Sequence, residues 1–219
     1  MTVRFDMPSH GSLLASYAER TDMRTGIQVA SVLLLAGLTA AAAQISIPLP
    51  FTPVPFTLQP MVVLLGGAAL GARLGMSAQV LYLAAGLAGL PVFAASPVLP
   101  QGALRLLGPT GGYLMSYPFA ALVTGLLAER GFDRRYLTSV IAMACGLLVV
   151  FACGVTWLAL FARPAAVGFS AALNTGLYPF VVADVLKLFI AAGVMPALWA
   201  VTGKTTPSSL IENPRSSNP

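Results

Sequence analysis

Six apolar runs follow one another along this chain, each closed by charge, proline or glycine, and no other feature restricts the fold so strongly. They cover residues 27–47, 58–72, 74–90, 110–128, 137–161 and 172–201. A helix needs about 20 apolar residues to cross the hydrocarbon core of a bilayer, so a chain of 219 residues has space for about five to seven such helices. No room is left for a separate soluble catalytic domain. The composition agrees: 57% of the residues are hydrophobic, 9% are charged and the mean hydropathy is +0.84, whereas soluble domains carry roughly 25% charged residues. The expected fold is an all-α integral membrane protein, a bundle of six transmembrane helices.

The connectors are unequal. After the first run comes "PLPFTPVPFT", whose four prolines (Pro48, Pro50, Pro53, Pro55) forbid regular helix and favour a stiff, extended path. After the third comes "PVFAASPVLPQGALRLLGP", a long segment without helical pattern. Loops of such length in a compact bundle commonly carry function, and this one is too apolar to be a solvated tail. The last run is too long for one straight span, and Pro179 marks a break in it or the start of the true helix.

With the amino terminus in the cytoplasm, the inner connectors and ends hold Arg4, Arg20, Arg24, Arg73, Arg130, Arg134, Arg135, Lys204 and Arg215, and the outer ones hold Arg105 and Arg163. This asymmetry places both termini inside and the two unusual loops outside. The expected organisation is a polar cytoplasmic segment over residues 1–26, a transmembrane domain over 27–203 and a disordered cytoplasmic tail over 204–219. The start imitates a secretory signal, with "AAAAQ" as a cleavage site. Removing the first run would upset the charge asymmetry, so it is read as a span.

Several chemistries are excluded. The "GKTT" at 203–206 lacks the glycine a phosphate loop needs five residues earlier, where Leu198 stands. The single histidine, His10, lies in the polar amino-terminal segment, which rules out a histidine-based triad or zinc site in the membrane. No catalytic set, metal site or cofactor is expected. The net charge of +5 resides in short connectors beside a bilayer, so no nucleic-acid partner is expected. Cys145 and Cys153, eight apart in one run, read as small buried hydrophobes. The four-residue spacings Ala36/Ala40 and Gly67/Gly71 suit close helix packing, within the bundle or against another membrane subunit.

One run raises a question of its own. "FVVADVLKLFI" carries Asp184 and Lys187, the one acid and the one base expected inside a span. Charges there are costly, face the bundle interior and mark functional paths; three residues apart, these two share a helix face and can neutralise each other. A helix starting near Pro179 at the outer surface puts them about 7 Å and about 12 Å below it. Arg105 in the long outer loop would then join them around a pocket open to the outside. Gln44, Gln59, Tyr82 and Tyr113, near outer ends of spans, are further candidates. Such a set suits a small, partly apolar ligand with hydrogen-bonding groups and an anionic end; a structural ion pair is the plainer alternative.

The stretches "AAAQISIPLP", "VPFTLQPMVVLLGGAALGARLG", "LYLAAGLAGLPVF", "LLGPTGGYLMSYPFAALVTGLLAERG" and "VVADVLKL", in this order and spacing over residues 30–200, resemble the BioY family. These are the biotin-binding substrate-capture (S) components of energy-coupling-factor (ECF) vitamin transporters. The resemblance implies the S-component six-helix fold, biotin as the transported ligand, and Asp184, Lys187 and Arg105 as ligand contacts. It also implies a transmembrane coupling subunit, docked on the Ala36–Ala40 face, and ATPase subunits that supply the energy. The chain departs from the family pattern after "GLPVF", which leaves Ser96 as the candidate contact in 94–101. Two other readings compete: an ion-coupled carrier for another small vitamin-like carboxylate, with the pair moving a proton, and a membrane enzyme using it as acid and base. The enzyme reading lacks a nucleophile or metal.

Overall fold

The structure is a computed structural model and describes residues 24–96, 99–162 and 166–203. Residues 1–23 of the amino-terminal segment expected at 1–26, and the tail expected at 204–219, lie outside the described residues; the remaining 24–26 belong to the first helix. Eight helices are present among the described residues: α1 Arg24–Gln44, α2 Gln59–Leu70, α3 Ala72–Leu87, α4 Ala103–Leu107, α5 Gly111–Glu129, α6 Tyr136–Leu160, α7 Phe169–Gly176 and α8 Tyr178–Gly203. Four of them, α1, α5, α6 and α8, are long and apolar enough to cross a membrane. α2 and α3, with 12 and 16 residues, fall short of the length that a full span requires. Of the six expected spans, four are long helices, and the second and third appear as a short pair, α2 and α3.

The two are joined through a single buried residue, Gly71, whose φ of 85° turns the chain sharply between them. A Cβ on Gly67 would stand 2.5 Å from the Ala121 carbonyl oxygen, and one on Gly75 would stand 2.9 Å from the Gly67 Cα. Backbone thus meets backbone where α2, α3 and α5 cross, a contact that side chains would forbid. Glu129 at the end of α5 accepts the Ala72 N–H at 2.8 Å, filling the unsatisfied first turn of α3. Deep in the bundle Gln79 donates to Thr39 Oγ1 at 3.1 Å, pinning α1 to α3. Burial identifies α5 as the central helix: 67% of its apolar window is buried, against 28% for α1.

Three local expectations change. The first run stops being helix at Gln44, because Ser46–Ile47 pairs antiparallel with Phe56–Thr57 in the register Ser46↔Thr57 and Ile47↔Phe56. The proline-rich connector is thus a hairpin, with the prolines in its arms and tip where no ladder donor is needed. The long loop is not devoid of helix, since Gly102 at φ 98° leads into α4, which carries Arg105. The last run breaks where Pro179 was expected to mark it: Leu177 separates α7 from α8, and Pro179 falls in the first turn of α8, where its missing N–H has no helical acceptor to lose. Cys153 is exposed and Cys145 half-buried, both as free thiols; the expectation of two buried cysteines fails because a lipid-facing helix side is as apolar as a core-facing one.

Candidate ligand site

The hairpin, residues 93–96, Leu99 and Arg105, and parts of α2, α5, α6 and α8 line a cavity of about 410 Å³. Its walls are largely apolar, with Phe56, Phe93, Leu114, Val150 and Phe180 among them. The hairpin is held over it from both sides. Thr52 Oγ1 donates to the Thr175 carbonyl on α7 at 2.6 Å and accepts the Val54 N–H at 3.1 Å. The Thr57 carbonyl accepts a hydrogen bond from Lys187 Nζ at 2.7 Å.

Asp184 and Lys187 are both buried and form an ion pair of 2.7 Å. The ammonium stands 3.6 Å from the centre of the Phe56 ring, a cation–π contact. Its charge is therefore met by a carboxylate, a carbonyl and an aromatic face. Asp184 lines the cavity and Lys187 does not; the lysine reaches past the acid to the hairpin. The pair is at once a structural clasp and a hydrogen-bond acceptor presented to the cavity.

Arg105 also lines the cavity and is 4% exposed. Among the described residues it forms no ion pair, and its Nε is buried without a hydrogen-bond partner. Burial lowers the pKa of this guanidinium, yet an arginine remains a cation in any protein setting. A buried cation on a cavity wall suits an anionic oxygen.

Gln59 also lines the cavity and donates through Nε2 to Tyr82 Oη at 2.7 Å. Tyr82 is not on the cavity wall: its hydroxyl donates on to the Val92 carbonyl at 3.3 Å, and its ring packs edge-on against Phe93. It props Gln59 from behind. Tyr113 faces the cavity with its ring, while its hydroxyl donates to the Gly176 carbonyl at 2.7 Å, holding the α7–α8 break in place. Gln44 stands outside, donating to Ala40 and Pro91 carbonyls at 3.3 Å each. Ser96 is on the wall and accepts the Leu99 N–H at 3.3 Å. Tyr117, which sequence reasoning missed, lies on the wall one turn below Tyr113; that i, i+4 spacing was the available signal.

On α1, Ala36 and Ala40 are half-buried against the core, and Gly37 and Ala41 are the small residues turned outward. Among the described residues no group of three His, Cys, Asp or Glu side chains could hold a metal ion.

The family model of the BioY family matches residues 17–204. A probable biotin transporter BioY of Pyrococcus horikoshii is 42% identical over 160 residues, which cover 73% of this chain and 88% of that protein. The biotin transporter BioY of Thermotoga maritima is 41% identical over 160 residues with the same coverage. That of Rhizobium etli is 35% identical over 178 residues, 78% of this chain and 91% of its own. A crystal structure of the S-component for biotin from an ECF-type ABC transporter matches with a TM-score of 0.72 over 82% of this chain and 94% of that one, at 24% identity; that likeness speaks for the fold.

Proposed function

The chain belongs to the BioY family, and from that premise we propose that it captures biotin in the cavity beneath the hairpin and serves its uptake as the substrate-binding component of an ECF transporter. The protein is an integral membrane protein and not an enzyme. The observation that carries the reading is the presence, on the wall of one apolar cavity of about 410 Å³, of an acceptor paired with Lys187 and of a buried cation with no acid partner among the described residues. Pockets of this size and character suit a small ligand held by few polar groups.

Biotin's chemistry fits that polarity in one direction. Its ureido ring offers two N–H donors, which suit the Asp184 carboxylate; its carboxylate suits Arg105; its thiophane ring and chain suit the aromatic walls. Lys187 stands behind Asp184 as its ion-pair partner, and Gln59 and Tyr117 are further polar groups on the wall. The reverse orientation would set a carboxylate against Asp184.

The remaining assignments follow the same reading. Six membrane segments are counted with α2 and α3 as a short pair, and both termini lie in the cytoplasm. Arg105 at the cavity end, against Arg73, Arg130, Arg134 and Arg135 at the other, supports this sidedness. The peripheral α1, through Ala36, Ala40 and the outward residues beside them, docks the transmembrane coupling subunit that ATPase subunits drive.

The test is equilibrium binding of biotin to the purified protein, with Asp184→Asn and Arg105→Gln beside it. Submicromolar binding weakened by about tenfold or more in each variant, 1.4 kcal/mol, supports the reading. Folded wild type without biotin binding ends it. Uptake that follows a pH gradient and loses that dependence in Asp184→Asn would favour an ion-coupled carrier instead.

A further inference from the structure

At the end of the bundle opposite the cavity, the α2–α3 turn and the α5–α6 loop come together through the bond from the Ala72 N–H to Glu129. That bond brings Arg73 and Arg130, each next in sequence to a bonded residue, to the same rim. The loop is compact: Gly131 turns it at φ 86°, and the Phe132 N–H returns to the Leu127 carbonyl at 3.2 Å. Arg135 completes the rim at the start of α6.

Arg73, Arg130 and Arg135 are exposed. The two acids nearby are directed inward, Glu129 onto α3 and the buried Asp133 onto Trp199 Nε1 at 2.6 Å. Arg134 is laid over the Trp199 ring, 4.9 Å from its centre. Among the described residues, then, nothing neutralises the three outward arginines. Directly along α6 from Arg135 runs an exposed apolar stripe, Leu137, Ile141 and Leu148, with Leu126 beside it on α5. Three exposed cations at one end of the bundle, above an exposed apolar stripe, match a phospholipid in both of its parts, an anionic headgroup and its acyl chains.

We propose that Arg73, Arg130 and Arg135 form a binding site for the phosphate headgroup of an anionic phospholipid, whose chains lie along Leu137 and Ile141. A soluble phosphate would use the arginines alone and leave the stripe without a role. The site is independent of biotin, which binds at the far end.

The experiment is native mass spectrometry of the purified, delipidated protein offered phosphatidylglycerol or phosphatidylcholine of equal chain length. Wild type is expected to retain phosphatidylglycerol at least tenfold better, with the preference falling as salt is raised. Each of R73Q, R130Q and R135Q should weaken retention by up to about fivefold, and the triple variant should abolish the preference while binding biotin as wild type does. Equal retention of the two lipids by wild type, or undiminished preference in the triple variant, overturns the proposal. Competition by free glycerol phosphate as effective as by the lipid overturns the assignment to a lipid. Should the triple variant fail to fold, the single variants and the salt titration decide in its place.

Discussion

Lys187 on α8 donates to the main-chain carbonyl of Thr57 at 2.7 Å, across 130 residues of sequence. The same ammonium holds Asp184 at 2.7 Å, so one side chain fastens the hairpin to the helix that supplies the cavity's acceptor. The structural role of the pair and its proposed ligand role can therefore be separated by mutation.

Lys187→Met should leave the Asp184 carboxylate buried and unpaired, at a cost of about 3–5 kcal/mol. The double variant Asp184→Asn/Lys187→Met should recover most of that stability and still bind biotin poorly. Thermal unfolding in detergent and biotin titration, run as a double-mutant cycle, read the two effects apart. A double variant that binds like wild type would deny the pair any ligand role.

Arg105→Gln should weaken biotin by about 1.5–3 kcal/mol, the range of a hydrogen bond to a charged group. Biotinamide, which lacks the carboxylate charge, should be affected far less. Calorimetric titration with both ligands decides the orientation; an equal loss for the two would place the carboxylate elsewhere.

Tyr82→Phe removes the acceptor of the Gln59 amide without changing the cavity wall. With both groups buried, the orphaned donor should cost about 1–3 kcal/mol of stability and lower biotin affinity by a smaller factor than Arg105→Gln. A larger effect on affinity than on stability would make Gln59 a direct contact.

Gly67→Val should destabilise by about 1–3 kcal/mol or more by forcing α2 away from Ala121. Gly37→Val, where a Cβ meets nothing within 4 Å, should leave the thermal midpoint unchanged in detergent. If the two variants behave alike, the close α2–α5 crossing is not needed for folding.

Burial raises the pKa of Asp133 in the α5–α6 loop above its ordinary value of 3.8, although Trp199 and Arg134 oppose the shift. A carboxyl whose folded pKa is raised contributes stability that is complete below 3.8 and is lost as pH rises through the folded value. Wild type should therefore lose stability over that window relative to Asp133→Asn, which can still accept the Trp199 N–H. Parallel pH profiles of the melting temperature for the two proteins would refute this.

The limits of α5 and α6, expected at 110–128 and 137–161, fall at Gly111–Glu129 and Tyr136–Leu160. Both helices are bounded by glycine, proline or arginine, signals that act within a few residues. The end of α1 was overrun because Ser46–Ile47 pairs with a strand nine residues on, and apolar composition does not distinguish a strand from a helix there. Among the site candidates, the charges were the legible part. Asp184 and Arg105 declare themselves by standing in apolar surroundings, whereas Gln44 and Gln59 look alike in sequence and only Gln59 lies on the cavity wall.

The sequence by itself determined that this chain lives in a membrane, where its main helices run, and that an acid and a base three residues apart share a buried face. These follow from local quantities: hydropathy over one span, helix periodicity, and the cost of burying charge. The tertiary structure alone decided that the proline-rich connector folds over a cavity, that Lys187 turns to the hairpin while Asp184 lines the cavity, and that Arg105 shares its wall. Each of these depends on contacts between segments far apart in the chain, and in an apolar sequence lipid-facing and core-facing residues carry the same local signature.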